Sequence, residues 1–377
     1  MRLKDVCEFI VDCPHSTAKD EGQGYPLIRT PNIGKGRFNL EGVHRVSEDV
    51  YRKRNLRATP QDNDLIFARE APAGNVAIIK NGEKYCLGQR TVLIRPNCEY
   101  VYPDFLTYYL LAPQQQYGLL GMANGATVAH VNLPVIRELE ITLPPIETQR
   151  RIANILSAYD DLIENNQKQI KLLEEAAQRL YKEWFVDLRF PGYENTKIVD
   201  GVPEGWKEGA LGDIAIFKRG KTITKAQVHN GNIPVVAGGL EPAYYHNKAN
   251  TSAPVITVSG SGANAGFTRL YNVDVFASDC SFVDRETTDY LFFVYVFLKA
   301  NKAALDILQK GAAQPHVYAK DINALRLNIP SEMLLKAYCD YTSLYFDKIK
   351  CLQDQMKLLS QARDRLLPKL MSGELEV

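Results

Sequence analysis

The sequence has no run of 18 or more apolar residues, and its first residues, MRLKDVCEFIVDCPH, lack the charged, apolar and small segments of a signal peptide. We therefore expect neither a membrane span nor secretion. The seven cysteines are scattered along the chain and form no CxxC pair. This usage is typical of reduced thiols in the cytoplasm rather than of a disulfide framework.

The sequence also lacks an excess of charge of either sign. It has 45 basic and 44 acidic side chains among 377 residues, which gives a formal net charge of +1. Residues 1–145 hold 17 basic and 16 acidic side chains, and residues 191–330 hold 14 and 13. Because no part of the chain is basic as a whole, any contact with nucleic acid has to depend on local clusters of cations.

Two glycine-containing segments imitate nucleotide-binding loops without completing them. Residues 219–222, RGKT, resemble the end of a phosphate-binding loop, but the position of its earlier glycine is taken by Ala215. Gly260, Gly262 and Gly266 form GxGxxxG rather than the GxGxxG of dinucleotide-binding folds. The sequence therefore predicts no nucleotide site in this chain.

Signatures of catalysis and of metal binding are missing as well. The only Pro-Pro pair lies in TLPPIE, so the Asn-Pro-Pro-Tyr type of methyltransferase motif is absent, and no convincing nuclease motif is present. Cys7, Cys13 and His15 lack a fourth ligand at suitable spacing, which favours a buried thiol and a surface histidine over a metal site. The missing motifs disfavour catalysis by this chain, and we predict no metal site in it.

An internal repeat is present instead. Each residue of one set recurs 186 positions later without a gap, which indicates a duplication. Gly125, Ala126, His130, Val131 and Pro144 match Gly311, Ala312, His316, Val317 and Pro330. Ile136, Leu139, Ile141 and Leu143 match Ile322, Leu325, Leu327 and Ile329, and their alternation predicts a half-buried strand in each copy.

The beginnings of the two copies are offset by 208 rather than 186, so the first copy carries 22 more residues (208 − 186). Such insertions are typical of surface loops. We divide the chain into a first globular domain at 1–145, a helix at 146–190, a linker at 191–205, a second globular domain at 206–330, and a helix with a tail at 331–377.

Heptad patterns mark one long helix after each globular domain. Apolar residues recur every seven positions from Ile152 to Leu180 and from Tyr338 to Leu366, with Asn166, Gln169 and Gln355 near the middle. A second series, three residues later on the first helix, includes Leu162 and Gln169. About 35 residues make a rod of roughly 50 Å. We expect the two helices to pair as an antiparallel coiled coil. The alternative is that each helix packs only on its own domain.

The globular domains combine strands with a shared helix. Short runs rich in β-branched residues, separated by Gly and Asn turns, predict strands at YPLIRT, DLIFARE, NVAIIK, RTVLIRP, IPVVAGG and APVITVSG. Residues 104–111 and 290–299 predict the same helix twice. The expected fold class is α+β, with two strand-rich, mixed α/β domains related by duplication and joined by two long antiparallel coiled-coil helices.

Cations cluster on polar loops although the chain is neutral. Residues 44–57, HRVSEDVYRKRNLR, carry five basic side chains, and Lys218, Arg219, Lys221 and Lys225 lie within one short stretch. Such loops can contact phosphates and base edges, although a charged run is also typical of a solvated surface. His130 and His316 are the same position in both copies, and they either touch a ligand that is present twice or cap a strand.

Four segments closely resemble type I restriction-modification specificity subunits. They are LPPIETQRRIANILSAYDDLIE, EEAAQRLYKEWFVDLRFPG, VPEGWKEGALGDI and ARDRLLPKLMSGELEV. Because these segments lie in both helical regions, in the linker and at the start of the second domain, the resemblance covers essentially the whole chain.

The resemblance implies two target-recognition domains, each of which reads one half of a bipartite site in the major groove of double-stranded DNA. The helix pair would set the spacer between the half-sites and dock two methyltransferase subunits, which bind S-adenosylmethionine and methylate adenine. Restriction and translocase subunits that use ATP and magnesium would join them. No cofactor would bind this chain itself.

Together the loops and the resemblance predict DNA contacts in each copy. In the first copy the predicted residues are Arg29, Lys35, Arg37, Arg54, Arg69, Arg90, Thr127 and His130. In the second copy they are Arg219, Lys221, Ser259, Ser261, Asn264, Arg269, Gln314 and His316. Any one of them can equally be a surface side chain without a DNA contact.

A wider apolar stripe on the helices predicts a face for the methyltransferase subunits. It comprises Leu156, Ile163, Ile170, Trp184, Ile349, Met356 and Leu370. The alternative for this stripe is burial against the protein's own domains. For the whole chain, a scaffold that binds protein or carbohydrate through the same loops remains open, whereas the missing motifs disfavour a stand-alone methyltransferase.

Overall fold

A computed structural model describes residues 1–80, 82–121, 129–311 and 314–377. Contacts divide the chain into two compact units. Unit 1 comprises Met1–Asn166 and Gln355–Val377, and unit 2 comprises Gln167–Asp354. Within the described residues, no helix is long and apolar enough to cross a membrane.

Unit 1 is built on a five-stranded sheet with the order β1-β8-β5-β6-β3, and a three-stranded sheet with the order β4-β2-β7 accompanies it. The strands are β1 (Cys7–Asp12), β2 (Tyr25–Ile28), β3 (Lys35–Gly36), β4 (Arg45–Val46), β5 (Leu65–Ala68), β6 (Val76–Ile78), β7 (Cys86–Leu87) and β8 (Thr91–Pro96). Every residue of β5 and β6 is buried, as their continuous apolar sequences require.

The helices of unit 1 begin at positions that favour helix starts. They are α1 (Glu48–Arg54), α2 (Pro103–Leu111), α3 (Pro113–Gly121), α4 (Leu133–Arg137) and the first part of α5 (Ile146–Tyr181). Proline stands in the first turn of α2 and of α4, where its missing N–H costs nothing. Ile152, Ala153 and Leu156 of α5 complete the core that α2 forms with the sheet.

Unit 2 has a four-stranded sheet with the order β12-β18-β15-β16, a three-stranded sheet with the order β14-β13-β17, and the pairs β9–β10 and β11–β19. The strands are β9 (Ile198–Val199), β10 (Val202–Pro203), β11 (Lys207–Ala210), β12 (Lys218–Arg219), β13 (Ile233–Val236), β14 (Tyr244–His246), β15 (Val255–Ser259), β16 (Thr268–Tyr271), β17 (Phe276–Ala277), β18 (Cys280–Asp284) and β19 (Arg326–Ile329). The helices are α6 (Leu291–Ala300), α7 (Lys302–Ile307), α8 (Ala319–Asn323) and α9 (Glu332–Ser372).

The two units follow the same plan of strands. The order β1-β8-β5-β6 in unit 1 corresponds to β12-β18-β15-β16 in unit 2, with antiparallel pairs throughout. In each small sheet the central strand has one antiparallel and one parallel neighbour. α2 and α6 also contact the equivalent strands β6 and β16. The strands predicted from the six apolar runs, and the helix predicted twice, are therefore confirmed.

Parts of α5 and α9 pack against each other in both units, and their packing in unit 1 is antiparallel. In unit 1, Asp160 pairs with Arg363, and Asn166 donates from Nδ2 to Gln355 Oε1 at 3.4 Å. Later residues of α5 thus meet earlier residues of α9. In unit 2, the Tyr338 hydroxyl donates to the backbone carbonyl of Ala177 at 2.9 Å.

Two local predictions are wrong. Ile136 and Ile322 lie in the short helices α4 and α8 rather than in strands, and Pro134 in the first turn of α4 favours this helical start. A strand forms only later in the second copy, at β19. Leu162, which the heptad pattern places in the helix seam, is half exposed, because the buried stripe of α5 turns away from it.

Candidate functional site

Arg69 is the centre of a charged cluster at the ends of three strands of unit 1. Its guanidinium is almost fully buried, and its Nε donates to the carbonyl of Val131 at 2.9 Å. Nη1 donates to Asp12 Oδ2 at 2.8 Å, and Nη2 lies 2.7 Å from His130 Nε2. The structure thus brings together two residues, Arg69 and His130, that were predicted separately from sequence. Because Arg69 is buried and all three of its guanidinium nitrogens are engaged, it is not free for DNA, and that prediction is corrected.

The contacts of His130 define its tautomer. Because a guanidinium can only donate, Nε2 of His130 accepts from Arg69. Nδ1 therefore carries the proton, which it donates to Glu70 Oε1 at 2.5 Å. The other oxygen of Glu70 pairs with Arg90 Nη1 at 2.7 Å. Arg90 is more than half exposed, so the cluster ends in a cation that faces solvent.

Three backbone hydrogen bonds hold the corresponding positions in both units. In unit 1 they join Cys13 N to Thr91 O (3.2 Å), Arg69 N to Arg90 O (3.0 Å) and Val131 N to Arg69 O (3.0 Å). In unit 2 they join Gly220 N to Cys280 O (2.8 Å), Gly260 N to Asp279 O (3.1 Å) and Val317 N to Gly260 O (3.1 Å). We call Asp12, Arg69, Glu70, Arg90 and His130 frame 1, and the equivalent Arg219, Gly260, Ser261, Asp279 and His316 frame 2.

Frame 2 uses different side chains on this shared backbone. The Ser261 hydroxyl donates to Asp279 Oδ2, and Ser261 and His316 form a β-bridge. Gly260 stands where unit 1 has Arg69, and a cleft of about 30 Å³ is lined there by Arg219, Asp279 and His316 among others. Frame 2 is therefore open where frame 1 is filled by a guanidinium.

Exposed cations lie in frame 2 and next to it. Arg219 and Lys221 are exposed, as are their neighbours Lys218 and Lys225. Within the described residues none of the four forms an ion pair with a carboxylate. Cations that are free in this way can bind phosphates without first breaking an internal contact.

Three of the first-copy predictions need a correction or fall elsewhere. Arg54 is buried and donates to the carbonyls of Leu87 and Pro14 and to Ser16 Oγ, so it stabilises the fold and is not free for DNA. Arg37 Nη2 donates to Asp161 on α5 at 2.7 Å, which ties β3 to the helix. Thr127 lies outside the described residues.

Arg29 and Lys35 lie apart from frame 1. Arg29 is half-buried, and its Nε has no hydrogen-bond partner in the described part of the chain. Lys35 is exposed and lines a cleft of about 160 Å³ with Tyr108 and Arg363. Neither residue contributes to the cluster around Arg69.

The remaining second-copy predictions surround the same turn. Ser259 is buried and donates from Oγ to Gly238 O at 3.0 Å, so its role is structural and the prediction of a DNA contact is corrected. Asn264 approaches the same carbonyl at 3.5 Å. Arg269 donates to Leu240 O at 2.8 Å, with its guanidinium over the ring of Tyr271. Gln314 is exposed and lies two residues before His316.

The predicted partner face is corrected at four positions. Leu156 and Leu370 lie in the core of unit 1, and Trp184 and Ile349 lie in the core of unit 2. The alternative of burial against the protein's own domains is thus the correct one for these residues. The other three, Ile163, Ile170 and Met356, are partly exposed.

Large apolar side chains are exposed elsewhere on the helices. Leu172 of α5 and Leu358 of α9 are 62% and 64% exposed, and their positions differ by 186. Leu344 and Met333 are more exposed still. The heptad pattern missed this face because it placed the seam about one helix position away from the buried stripe.

The described residues offer no group of ligands for a metal ion, and burial deactivates two of their thiols. Among the residues that the structure describes, no three His, Cys, Asp or Glu side chains lie close enough together to hold a metal ion. Burial raises the pKa of the Cys280 thiol, which follows Asp279, to about 12, and burial also raises the pKa of Cys13. A thiol with a raised pKa is a poor nucleophile at neutral pH.

Asp12, Glu70 and Asp279 were missed by sequence reasoning. Each is acidic, and an isolated acid on a loop is most often a solvated group. The available signal was position, since Glu70 follows Arg69 directly and Asp279 precedes β18 as Arg90 precedes β8. The frames can present hydrogen-bond donors and acceptors at the protein surface. Buried hydrogen bonds fix the geometry of these groups.

A family model for the type I restriction modification DNA specificity domain matches residues 1–175 and 203–333. The type I restriction enzyme MjaIX specificity subunit of Methanocaldococcus jannaschii is 28% identical over 413 residues, which cover all of this chain and 93% of that protein. The type I restriction enzyme HindI specificity subunit of Haemophilus influenzae is 20% identical over 400 residues, with 83% and 86% covered.

A solved structure has the same fold. The crystal structure of the type I restriction-modification S subunit from M. genitalium aligns with a TM-score of 0.56 at 18% identity and covers 98% of this chain and 95% of its own. The family model, for its part, covers well over half of the sequence, once in each copy. The chain therefore belongs to the specificity subunits of type I restriction-modification systems, which recognise DNA sequence and are not themselves enzymes.

Proposed function

We propose that each unit reads one half of a bipartite DNA site in the major groove through its frame and the loops around it. The observation that carries this proposal is the presence of two frames on the same backbone plan, each at the ends of the equivalent strands. A chain that reads two different half-sites needs two equivalent scaffolds that carry different side chains. We further propose that the scaffolds arose by internal duplication.

The charge distribution supports weak phosphate contacts by this chain alone. Arg219 is exposed in frame 2 with Lys221 beside it, and Arg90 is exposed in frame 1, whereas Arg37 and Arg54 are engaged inside the fold. Only part of the predicted cations can therefore displace counterions from DNA. We expect most of the electrostatic affinity to come from partner subunits.

We propose that α5 and α9 pair as a coiled coil that sets the spacer between the half-sites. Each of these helices contributes residues to both units, their packing in unit 1 is antiparallel, and they also contact each other in unit 2. Asn166 and Gln355, which bond to each other, supply the kind of polar seam contact that sets register in coiled coils.

The partners in this proposal are two methyltransferase subunits, which hold S-adenosylmethionine, and restriction subunits, which use ATP and magnesium. The chain itself holds no cofactor. We place the methyltransferase contacts on the exposed apolar side chains Leu172 of unit 2 and Leu358 of unit 1 rather than on the buried residues of the sequence-based prediction. Apolar side chains that recur on the surface at equivalent positions are typical of interaction sites.

The proposal is tested with the chain assembled with its methyltransferase subunits. Sequencing of modified adenines in a host that carries the complex is expected to show one bipartite motif. A variant with one helical turn, about four residues, inserted in both α5 and α9 is expected to keep both half-sites and change the spacer. An unchanged spacer contradicts the role of the helices, and the absence of any motif contradicts sequence recognition.

A further inference from the structure

The two frames differ in charge at two equivalent positions. Strand pairing places Asp12 opposite Val92 in unit 1, and Arg219 opposite Ser281 in unit 2, so an acid at the end of β1 is replaced by a base at the end of β12. Arg90 of frame 1 is likewise replaced by Asp279 of frame 2. At each of these two positions the shared backbone therefore holds a cation in one unit and an anion in the other.

Arg90 is held as a donor by both its backbone and its neighbour. Its φ angle of 65° lies in the left-handed region, which residues with a side chain adopt rarely. Residues in such conformations cluster at active sites and ligand-binding segments. Glu70 holds Nη1 at 2.7 Å, and His130 in turn holds Glu70. The remaining guanidinium donors of Arg90 have no hydrogen-bond partner among the described residues, and the side chain is 56% exposed.

Asp279 is held as an acceptor in the equivalent place. Its Oδ2 accepts the hydroxyl proton of Ser261, which fixes the carboxylate. Its Oδ1 lies beside Gly260, where a Cβ would come within 3.3 Å of it. No donor of the described chain satisfies Oδ1, and the adjoining cleft gives it access to a ligand.

We propose that Arg90 and Asp279 are specificity-determining residues of opposite chemistry. Arg90 recognises a guanine, whose O6 and N7 accept two hydrogen bonds from one guanidinium. Asp279 recognises a base with an exposed amino group in the major groove, which is N4 of cytosine or N6 of adenine. Glu70 and Ser261 are positioning residues for them. This inference rests on the proposed function, because it requires that the frames face base edges.

The surroundings of Gly260 explain why unit 2 has a glycine where unit 1 has Arg69. In frame 1 the Arg69 side chain supports His130 from inside the fold. In frame 2 a side chain at position 260 would press against Asp279, so glycine keeps the carboxylate free to meet a ligand. Arg90 and the Oδ1 atom of Asp279 are thus left available to a ligand by different means.

The test is selection of bound duplexes from a random library by the complex of this chain with its methyltransferase subunits. For Arg90→Ala we expect a loss of about tenfold in the preference for guanine at one position of the first half-site, with the second half-site unchanged. For Asp279→Ala we expect the reciprocal result, and the base that loses preference distinguishes cytosine from adenine. Lys225→Ala, an exposed cation outside both frames, is the control and is expected to lower affinity without changing any base preference.

The outcomes separate this inference from the proposed function. A wild-type complex that selects no sequence contradicts the proposed function. A selective wild-type complex together with unchanged preferences in Arg90→Ala or Asp279→Ala overturns the inference alone. Loss of preference in both half-sites by one variant also overturns it, since the side chain then acts through the whole fold. Glu70→Gln is expected to weaken the same guanine preference less than Arg90→Ala, because the amide still accepts one hydrogen bond.

Discussion

The two units attach their domains to the long helices by different chemistry. In unit 1, Asp160 of α5 is 3% exposed and accepts hydrogen bonds from the Tyr108 hydroxyl of α2, at 2.6 Å, and from Arg363 of α9. In unit 2 the position equivalent to Asp160 (160 + 186) is Phe346, which stacks on Phe292 with ring centroids 4.4 Å apart. One attachment is ionic and the other is aromatic.

This difference shows that the contact is constrained in place but not in chemistry. A buried ion pair depends on both partners, because removal of one leaves an uncompensated charge. An aromatic stack depends on shape and on the apolar area that it buries. The two attachments are therefore expected to fail under different conditions, which the following experiments measure.

The largest effect is expected for Phe346→Ala in unit 2. Phe346 is buried against Phe292 and Tyr295, so truncation leaves a cavity and removes aromatic contacts. We expect a loss of about 4 kcal/mol in the free energy of unfolding, measured by urea denaturation. Leu344→Ala, two residues earlier and 69% exposed, is the matched control and is expected to change it by less than about 0.5 kcal/mol.

The next effect is expected for Arg363→Ala in unit 1, which leaves the carboxylate of Asp160 buried without its cation. Burial alone lowers the pKa of Arg363, but Asp160 and Asp364 hold it above its ordinary value, so the guanidinium stays charged. We expect a loss of about 3 kcal/mol in the free energy of unfolding. Arg365→Ala, which removes an exposed cation from the same helix, serves as the control. Equal losses from both variants would mean that the ionic attachment contributes nothing specific.

Alkaline pH is expected to act on the aromatic cluster of unit 2. Burial raises the pKa of Tyr181 to about 12, whereas a tyrosine in the unfolded chain ionises near 10. Because the folded pKa is the higher one, the stability that Tyr181 contributes is complete below about pH 10 and is lost as the pH rises towards 12. We compare the free energies of unfolding of Tyr181→Phe and the unmodified chain at pH 8 and at pH 12. Between these two pH values the difference is expected to shift by roughly 2 kcal/mol in favour of the variant.

The control for this pH dependence is Tyr341→Phe, which removes a hydroxyl from a side chain that is 58% exposed. The difference in unfolding free energy between this variant and the unmodified chain is expected to stay constant from pH 8 to 12. Melting curves at several pH values provide the comparison. If Tyr181→Phe behaves in the same way as Tyr341→Phe, ionisation in the cluster does not determine alkaline stability.

Much of the fold could be predicted from sequence because periodicity reports burial directly. The runs that became β5 and β6 are continuously apolar, and both are buried throughout. The seam of α5 was less predictable. The heptad pattern places Leu162 inside, but the residue that is buried nearby is Asp160, whose partners Tyr108 and Arg363 are distant in sequence.

The site could be predicted in part for the same reason. The recurrence of His130 at His316 indicates a shared position, and the structure places both histidines in equivalent frames. The cluster around Arg54 misled the prediction, since its acceptors, such as Leu87 O, come from remote segments that bury the guanidinium. Composition cannot separate a cation that serves the fold from one that faces a ligand, because both occur in polar sequences.

The smallest effect, and the one that separates fold from recognition most directly, is expected for Arg37→Ala. Its ion pair with Asp161 is partly solvated, with 65% of the Asp161 side chain exposed, so we expect a loss of at most about 1 kcal/mol in the free energy of unfolding at low salt, and less at high salt. Because Arg37 contacts α5, we expect the affinity of the complex for its DNA site and the dependence of that affinity on salt to be unchanged. Arg219→Ala is expected to give the opposite pattern, since this exposed cation has no carboxylate partner in the described chain and can contact phosphate. A reduced salt dependence of binding in Arg37→Ala would place Arg37 at the DNA after all.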